Sequence, residues 1–123
     1  MSNPSNRLGV IVVAAGRSSR MGGVDKQLLR LGGIPVILHS LRVFESFSGT
    51  GSIVLVMSED NLEAGRNVVG ESGLSKIIDV VAGGERRQDS VKVGLSVLTS
   101  HSNGIPEFVA VHDGARPFID HEL

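Results

Sequence analysis

Four short stretches of the chain are almost continuously apolar: LGVIVVA from Leu8 to Ala14, IVLVM from Ile53 to Met57, IIDVV from Ile77 to Val81, and FVAVH from Phe108 to His112. Strict alternation marks a strand with one wet face, whereas unbroken Val- and Ile-rich runs suit strands covered on both faces, as in a parallel sheet. Between these runs the apolar spacing becomes helical. From Pro35, a residue suited to a first helical turn, Ile37, Leu41 and Phe44 recur at i, i+4 and i+7 and predict an amphipathic helix. A weaker pattern predicts a second helix from about Asp60 to Val69, with Gly65 counting against it. A third begins near Asp89, where Val91, Leu95 and Leu98 repeat the spacing, and ends before SHSNGIP. The order strand, loop, helix, strand, helix, strand, helix, strand predicts a doubly wound α/β sheet, whose ligand crevice lies at the carboxyl ends of the strands.

Composition narrows this picture. The chain of 123 residues is the size of one domain, able to bury about two thirds of the surface its unfolded form exposes. With 41% hydrophobic residues, 20% charged residues and 16 glycines, it reads as globular with many tight turns and not as disordered. A formal net charge of −1 provides no overall attraction to nucleic acid or to an anionic membrane, so any anion must be held by a local cluster. The absence of cysteine excludes a disulfide framework and thiolate chemistry. No apolar run approaches a membrane span, and the start MSNPSN lacks a signal-peptide pattern, so the expected setting is cytoplasmic. Repeats and linkers are not apparent. In the ending RPFIDHEL, Asp120 reads as the cap of a helix barely begun, which predicts an apparently truncated chain: residues 1–123 as the first portion of a longer domain.

Three stretches could carry chemistry. The first is VVAAGRSSRMGGVDKQ, which leaves the first strand at the expected ligand edge. Gly16 permits a sharp turn, and the successive amides of Gly16, Arg17, Ser18 and Ser19 up to Arg20 suit an anion-binding concavity. Arg17, Arg20, Lys26 and Arg30 against Asp25 alone leave a surplus of three positive charges, and phosphate is the natural partner. The dinucleotide fingerprint fails because Ser18 stands where its second glycine belongs, and no Walker G-K-[ST] occurs. A solvated basic loop accounts for the same residues.

The second stretch, VAGGERRQDSVKVGL, places Gly83 and Gly84 after a strand, then Arg86 and Arg87, then Asp89 and Ser90 at a helix start. Adjacent glycines expose backbone groups that suit close reading of a base edge or ribose, and Ser90 is a candidate ligand contact. Without Trp or Tyr and with only 4 Phe, recognition of a base by stacking is disfavoured against recognition by backbone. The competing explanation is a tight βα turn with Asp89 or Ser90 as helix cap.

The third stretch, VAVHDGARPF, ends a strand in Asp113 and Gly114. A carboxylate there suits Mg²⁺ bridging nucleotide phosphates, because magnesium keeps several waters and borrows phosphate oxygens. An Asx turn closed by Asp113 and Gly114 competes with it. His39, His101, His112 and His121 show no metal-ligand spacing, and His112 reads first as a strand-end packing residue. No Ser-His-Asp arrangement is suggested. Nucleotidyl transfer needs none, since a phosphate monoester is already an anionic nucleophile and catalysis reduces to positioning and charge neutralisation.

Taken together and in order, AAGRSSRM with its following lysine, VAGGERRQDSVKVGL and VHDGARPF resemble the 2-C-methyl-D-erythritol 4-phosphate cytidylyltransferases of the non-mevalonate isoprenoid pathway. The resemblance covers essentially the whole chain but only the first half of that family's usual length. It implies a Rossmann-like nucleotidyltransferase fold, CTP and a polyol phosphate as substrates, Mg²⁺ as cofactor, pyrophosphate as product, and a homodimer for full-length members. Carried over by position, Arg20 and Lys26 match the basic pair that stabilises charge on the α-phosphorus. Ala14, Ala15 and Gly16 begin the phosphate loop that continues through Arg17, Ser18 and Ser19. Gly83, Gly84 and Ser90 match cytosine and ribose contacts, with Arg87 in the same nucleotide-binding stretch, and Asp113 matches a metal-binding aspartate. The family's later segment, with its dimerisation arm, acceptor grip and second aspartate, has no counterpart in these residues, so the chain alone is expected to bind CTP weakly and turn over poorly. Alternatives are a cytidylyltransferase acting on ribitol 5-phosphate and a non-catalytic nucleotide-binding module; a dehydrogenase fits least.

Overall fold

Each of the four apolar runs forms a strand of one parallel sheet. The computed structural model describes residues 8–15, 20–21, 24–25, 30–31, 34–100 and 105–114. In chain order these form β1 (Leu8–Ala14), β2 (Arg20–Met21), β3 (Val24–Asp25), β4 (Arg30–Leu31), β5 (Ile34–Pro35), α1 (Val36–Ser46), β6 (Thr50–Met57), a 3₁₀ turn (Glu59–Asn61), α2 (Leu62–Ser72), β7 (Ile77–Ala82), α3 (Arg87–Ser100) and β8 (Phe108–Asp113). The main sheet runs β7-β6-β1-β8, all pairs parallel.

Burial explains why the runs do not alternate. On one face, Val10, Val12, Ala14, Ile53, Leu55, Met57 and Val80 pack with Ile37, Leu38 and Leu41 of α1, and Leu62, Val68 and Val69 of α2 join them. On the other, Ile11, Val13, Val54 and Val56 pack with Leu98, Val91 and Val97 of α3. Every residue of β1 and β6 near the middle of the sheet therefore meets a helix, above or below, and a polar residue there would be stranded without a partner. Edge strand β8 differs: Phe108 is 57% exposed, and Val109 and Val111 are exposed as well.

Several boundaries depart from the sequence pattern. β6 begins three residues before Ile53, because Thr50 pairs with Leu8 and Ser52 with Gly9 across a register shift. Pro35 takes the position before the first helical turn of α1, with φ −55° and ψ 139°, so its fixed φ sets the entry into the helix from outside. α2 runs through Gly65 and Gly70 to Ser72 and closes on Gly73 in the left-handed region at φ 74°. Gly65 is favoured there by packing: a methyl group on it would lie 2.8 Å from Met57 Cγ. The helix comes this close to β6 only where it has no side chain.

Two antiparallel pairs, β2–β3 and β4–β5, occupy what the periodicity reads as loop. Each flanks a Gly-Gly dipeptide, in MGGV and LGGI, the composition that two-residue hairpins favour. The first pair sets Arg20 opposite Asp25, the residue before Lys26. A further tie joins α1 to the start of β7: the Glu45 carboxylate accepts hydrogen bonds from the Ser75 N–H at 3.1 Å, the Ser75 hydroxyl at 2.9 Å and the Lys76 N–H at 2.9 Å. Lys76 Nζ in turn donates to the Phe47 carbonyl at 2.9 Å.

Candidate functional site

Parallel pairing brings the carboxyl ends of all four strands to one rim. Met57 is the register partner of Ala14 on one side and of Ala82 on the other, while Asp113 is the partner of Val13. Two glycines carry the pairing one residue beyond the strands: Gly83 N–H donates to the Met57 carbonyl at 2.8 Å, and Gly114 N–H to the Val13 carbonyl at 2.9 Å. Because β6 and β7 extend the sheet to one side of β1 and β8 returns to the other, the strand order reverses at β1 and β8. A reversal of this kind opens a crevice beyond the strand ends, the usual ligand position in open α/β sheets.

The rim unites residues from all three sequence stretches. Ala14 is buried at the end of β1 and Ala15 is half-buried beyond it. Gly83 and Gly84 follow β7, and Asp113 ends β8, three strand spacings away, roughly 14 Å at about 4.8 Å per spacing. Asp113 shares the face of Val13, on the α3 side, and is exposed. His112 points the other way, where its ring meets Phe44 of α1 edge-on with centroids 5.3 Å apart, the packing role its position suggests. Arg20 lies in β2, while Gly16, Arg17, Ser18, Ser19 and Lys26 fall outside the described residues.

The turn from β7 into α3 is tightly built. A methyl group on Gly83 would overlap Ser90 Oγ and lie 2.7 Å from Val56 Cγ1, and one on Gly84 would overlap Asp89 Cβ. Glycine at both positions lets the helix start fold down against the strand end. Ser90 is only 1% exposed, with its hydroxyl facing Gly83, so within α3 its side chain packs against the turn. α3 starts at Arg87, two residues before Asp89, and Asp89 caps it from inside. Its carboxylate accepts from the Arg86 N–H at 3.3 Å and pairs with the Arg86 guanidinium at 3.3 Å. The Arg86 side chain is the main reason the Asp89 carboxyl is held below its ordinary pKa. Arg86 is thereby engaged, and Arg87, exposed at the first position of α3, is the cation of the pair with no partner among the described residues.

The fit of a metal follows from the donor set. Among the described residues no three His, Cys, Asp or Glu side chains cluster to hold an ion. The exposed carboxylate that ends β8, Asp113, suits a cation that takes its remaining ligands from water and phosphate, which is the habit of Mg²⁺ and not of zinc or calcium. No helix among the described residues is long and apolar enough to cross a membrane.

Known proteins share both the sequence and the architecture. The family model for 2-C-methyl-D-erythritol 4-phosphate cytidylyltransferase, IspD, matches residues 8–123. A protein of that name from Dehalococcoides mccartyi is 45% identical over 116 residues, covering 94% of this chain and 49% of its own length. Its namesake from Shouchella clausii is 44% identical over 110 residues, covering 89% of this chain and 46% of its own. The crystal structure of 4-diphosphocytidyl-2C-methyl-D-erythritol synthase from Anaerococcus prevotii superposes with a TM-score of 0.73 at 28% identity, over 94% of this chain and 46% of that one. The chain thus spans about half the length of the curated relatives it matches. With a match that runs from the first residue of β1 to Leu123, the chain belongs to the 2-C-methyl-D-erythritol 4-phosphate cytidylyltransferase family.

Proposed function

We propose that this chain is the nucleotide-binding portion of an enzyme that transfers a cytidylyl group from CTP to 2-C-methyl-D-erythritol 4-phosphate and releases pyrophosphate. The observation that carries this reading is the shared rim: Ala14 and Ala15, the Gly83–Gly84 turn and Asp113 leave one edge of the sheet where the strand order reverses. A nucleoside triphosphate needs a base site and a phosphate site well over one strand spacing apart, and the roughly 14 Å between the β7 and β8 ends provides that span.

In this reading the acceptor's phosphate oxygen attacks the α-phosphorus of CTP, a P–O bond forms, and the bond to the β-phosphate breaks so that pyrophosphate leaves. The chain's own groups orient and neutralise. Gly16 through Ser19 are assigned to the phosphate oxygens, and Arg20 and Lys26 to the charge that builds on the α-phosphoryl group, where preorganised cations act most strongly. Backbone groups of Gly83 and Gly84 read the cytosine and ribose, Ser90 fixes their position from beneath, and Arg87 adds a cation at the same turn. Asp113 would hold a Mg²⁺ ion, which when bound supplies charge neutralisation across the triphosphate. The whole enzyme is read as a cytoplasmic homodimer that binds neither nucleic acid nor membrane.

The test joins this chain to the remaining half of the Dehalococcoides mccartyi relative and measures pyrophosphate release from CTP with Mg²⁺. Release that requires 2-C-methyl-D-erythritol 4-phosphate is expected. A preference for ribitol 5-phosphate would transfer the chain to that acceptor, and CTP binding without release under any acceptor would leave it a nucleotide-binding module.

A further inference from the structure

We propose that Gly94, a residue outside the nucleotide contacts assigned above, is a positioning residue that sets the height of the α3 start at the rim and through it the nucleotide-reading turn. The inference rests on that nucleotide reading. A methyl group on Gly94 would lie 2.6 Å from Ile11 Cγ2 and 3.1 Å from Ile11 Cδ1 and Cγ1. Ordinary carbon contacts begin near 3.5 Å, so an added methyl would require a relative displacement of about 1 Å. Ile11 has little room to supply it. It is fully buried in the central strand β1, paired with Val54 of β6 and Val111 of β8.

The helix must therefore move, and its start is coupled to its middle. Ser90, Gly94 and Leu98 recur at i, i+4 and i+8, and all three are buried against the sheet. One turn before Gly94, Ser90 faces Gly83 so closely that even a methyl there would overlap it, and Asp89 stands equally close to Gly84. A helix lifted over Ile11 cannot keep these contacts at its first turn, so Gly83, Gly84 and Arg87 shift relative to the end of β1. Misplacement on the order of 1 Å in a catalytic or binding arrangement can cost about 100-fold in rate. Gly94 would thus act at a distance from the nucleotide, through the packing distance between α3 and β1.

The experiment compares the wild-type chain, Gly94→Ala, and the double variant Ile11→Ala with Gly94→Ala, in which the new methyl takes the space vacated by the isoleucine. Two readouts are taken: the backbone amide resonances of Gly83, Gly84 and Arg87 without nucleotide, and the affinity for CTP. Gly94→Ala should shift those amide signals and weaken CTP binding at least tenfold while the protein stays folded, and the double variant should restore both. Unmoved turn signals, unchanged CTP affinity in folded Gly94→Ala, or no restoration in the double variant would overturn the proposal. Should wild type itself not bind CTP, the nucleotide reading falls and the amide shifts alone decide whether Gly94 positions the turn. If Gly94→Ala does not fold alone, Ile11→Val and Ile11→Ala backgrounds grade the same contact. CTP affinity should then rise from valine to alanine, and equal affinity in both would refute the proposal.

Discussion

Asp113 stands opposite Val13 in the parallel pairing of β8 with β1, and the next peptide N–H, that of Gly114, is bonded to the Val13 carbonyl at 2.9 Å. The carboxylate is exposed while the backbone that carries it is fixed to the central strand. An asparagine keeps the size of the side chain and leaves that backbone pairing in place, so the substitution removes chiefly the charge. Asp113→Asn is expected to abolish the enhancement of CTP binding by Mg²⁺ while the protein stays folded. Calorimetric titration with and without Mg²⁺ measures it, and an enhancement that survives the substitution would remove Asp113 from the metal site.

Gly83 should tolerate no side chain, because the place of its Cβ is taken by Ser90 Oγ and Val56 Cγ1. Gly83→Ala is expected to destabilise by about 1–3 kcal/mol through overpacking. Adding Ser90→Ala should recover part of this and not all, since Ser90 Cβ remains 3.0 Å from the new methyl. Urea unfolding of the single and double variants checks both expectations. Equal stability of wild type and Gly83→Ala would mean that α3 does not close on the turn as described.

Glu45 predicts a pH dependence. Partial burial pushes its pKa up, but the hydrogen bonds from Lys76 and Ser75 outweigh burial and hold it below the ordinary value. A carboxyl with a lowered folded-state pKa binds protons more weakly folded than unfolded. Its stabilisation is complete above the ordinary carboxylate range and disappears as pH falls through that range and below the folded value. Glu45→Gln should cost about 1 kcal/mol at neutral pH, in keeping with hydrogen bonds of this kind at a partly wet site. The difference from wild type should shrink on acidification, and a difference that grows would reverse the assignment.

Thr50 presents the opposite case. Its hydroxyl is buried at the start of β6 with no hydrogen-bond partner among the described residues. An orphaned buried hydroxyl costs about 1–3 kcal/mol, and valine has nearly the same shape. Thr50→Val should raise the midpoint of urea unfolding, with a gain of about 1 kcal/mol. A loss would show that the hydroxyl has a role in holding β6 to its neighbours.

Much of this was legible in the residues. Unbroken runs such as LGVIVVA identified the buried parallel strands, since a strand between two helical layers can carry no polar alternation. The β2–β3 and β4–β5 pairs were missed because two-residue strands have no period to detect, although MGGV and LGGI held the turn signal. Gly65 read as a weakness in α2, yet its bareness is what admits Met57. Asp89 read as a helix start, and only the fold shows it reaching back to Arg86 from the third position.

The sequence by itself determined the four strands of the main sheet and the three helices between them, the alternation that makes that sheet parallel, and the three motifs that place the chain in its family. These are local properties, written in spacing and in short strings. The order β7-β6-β1-β8, the alignment of Ala14, Met57, Ala82 and Asp113 along one rim, and the contact of Gly94 with Ile11 were decided by tertiary structure alone. They depend on which surfaces bury one another across dozens of intervening residues, and no local pattern encodes a distance between two elements that meet only after the chain has folded.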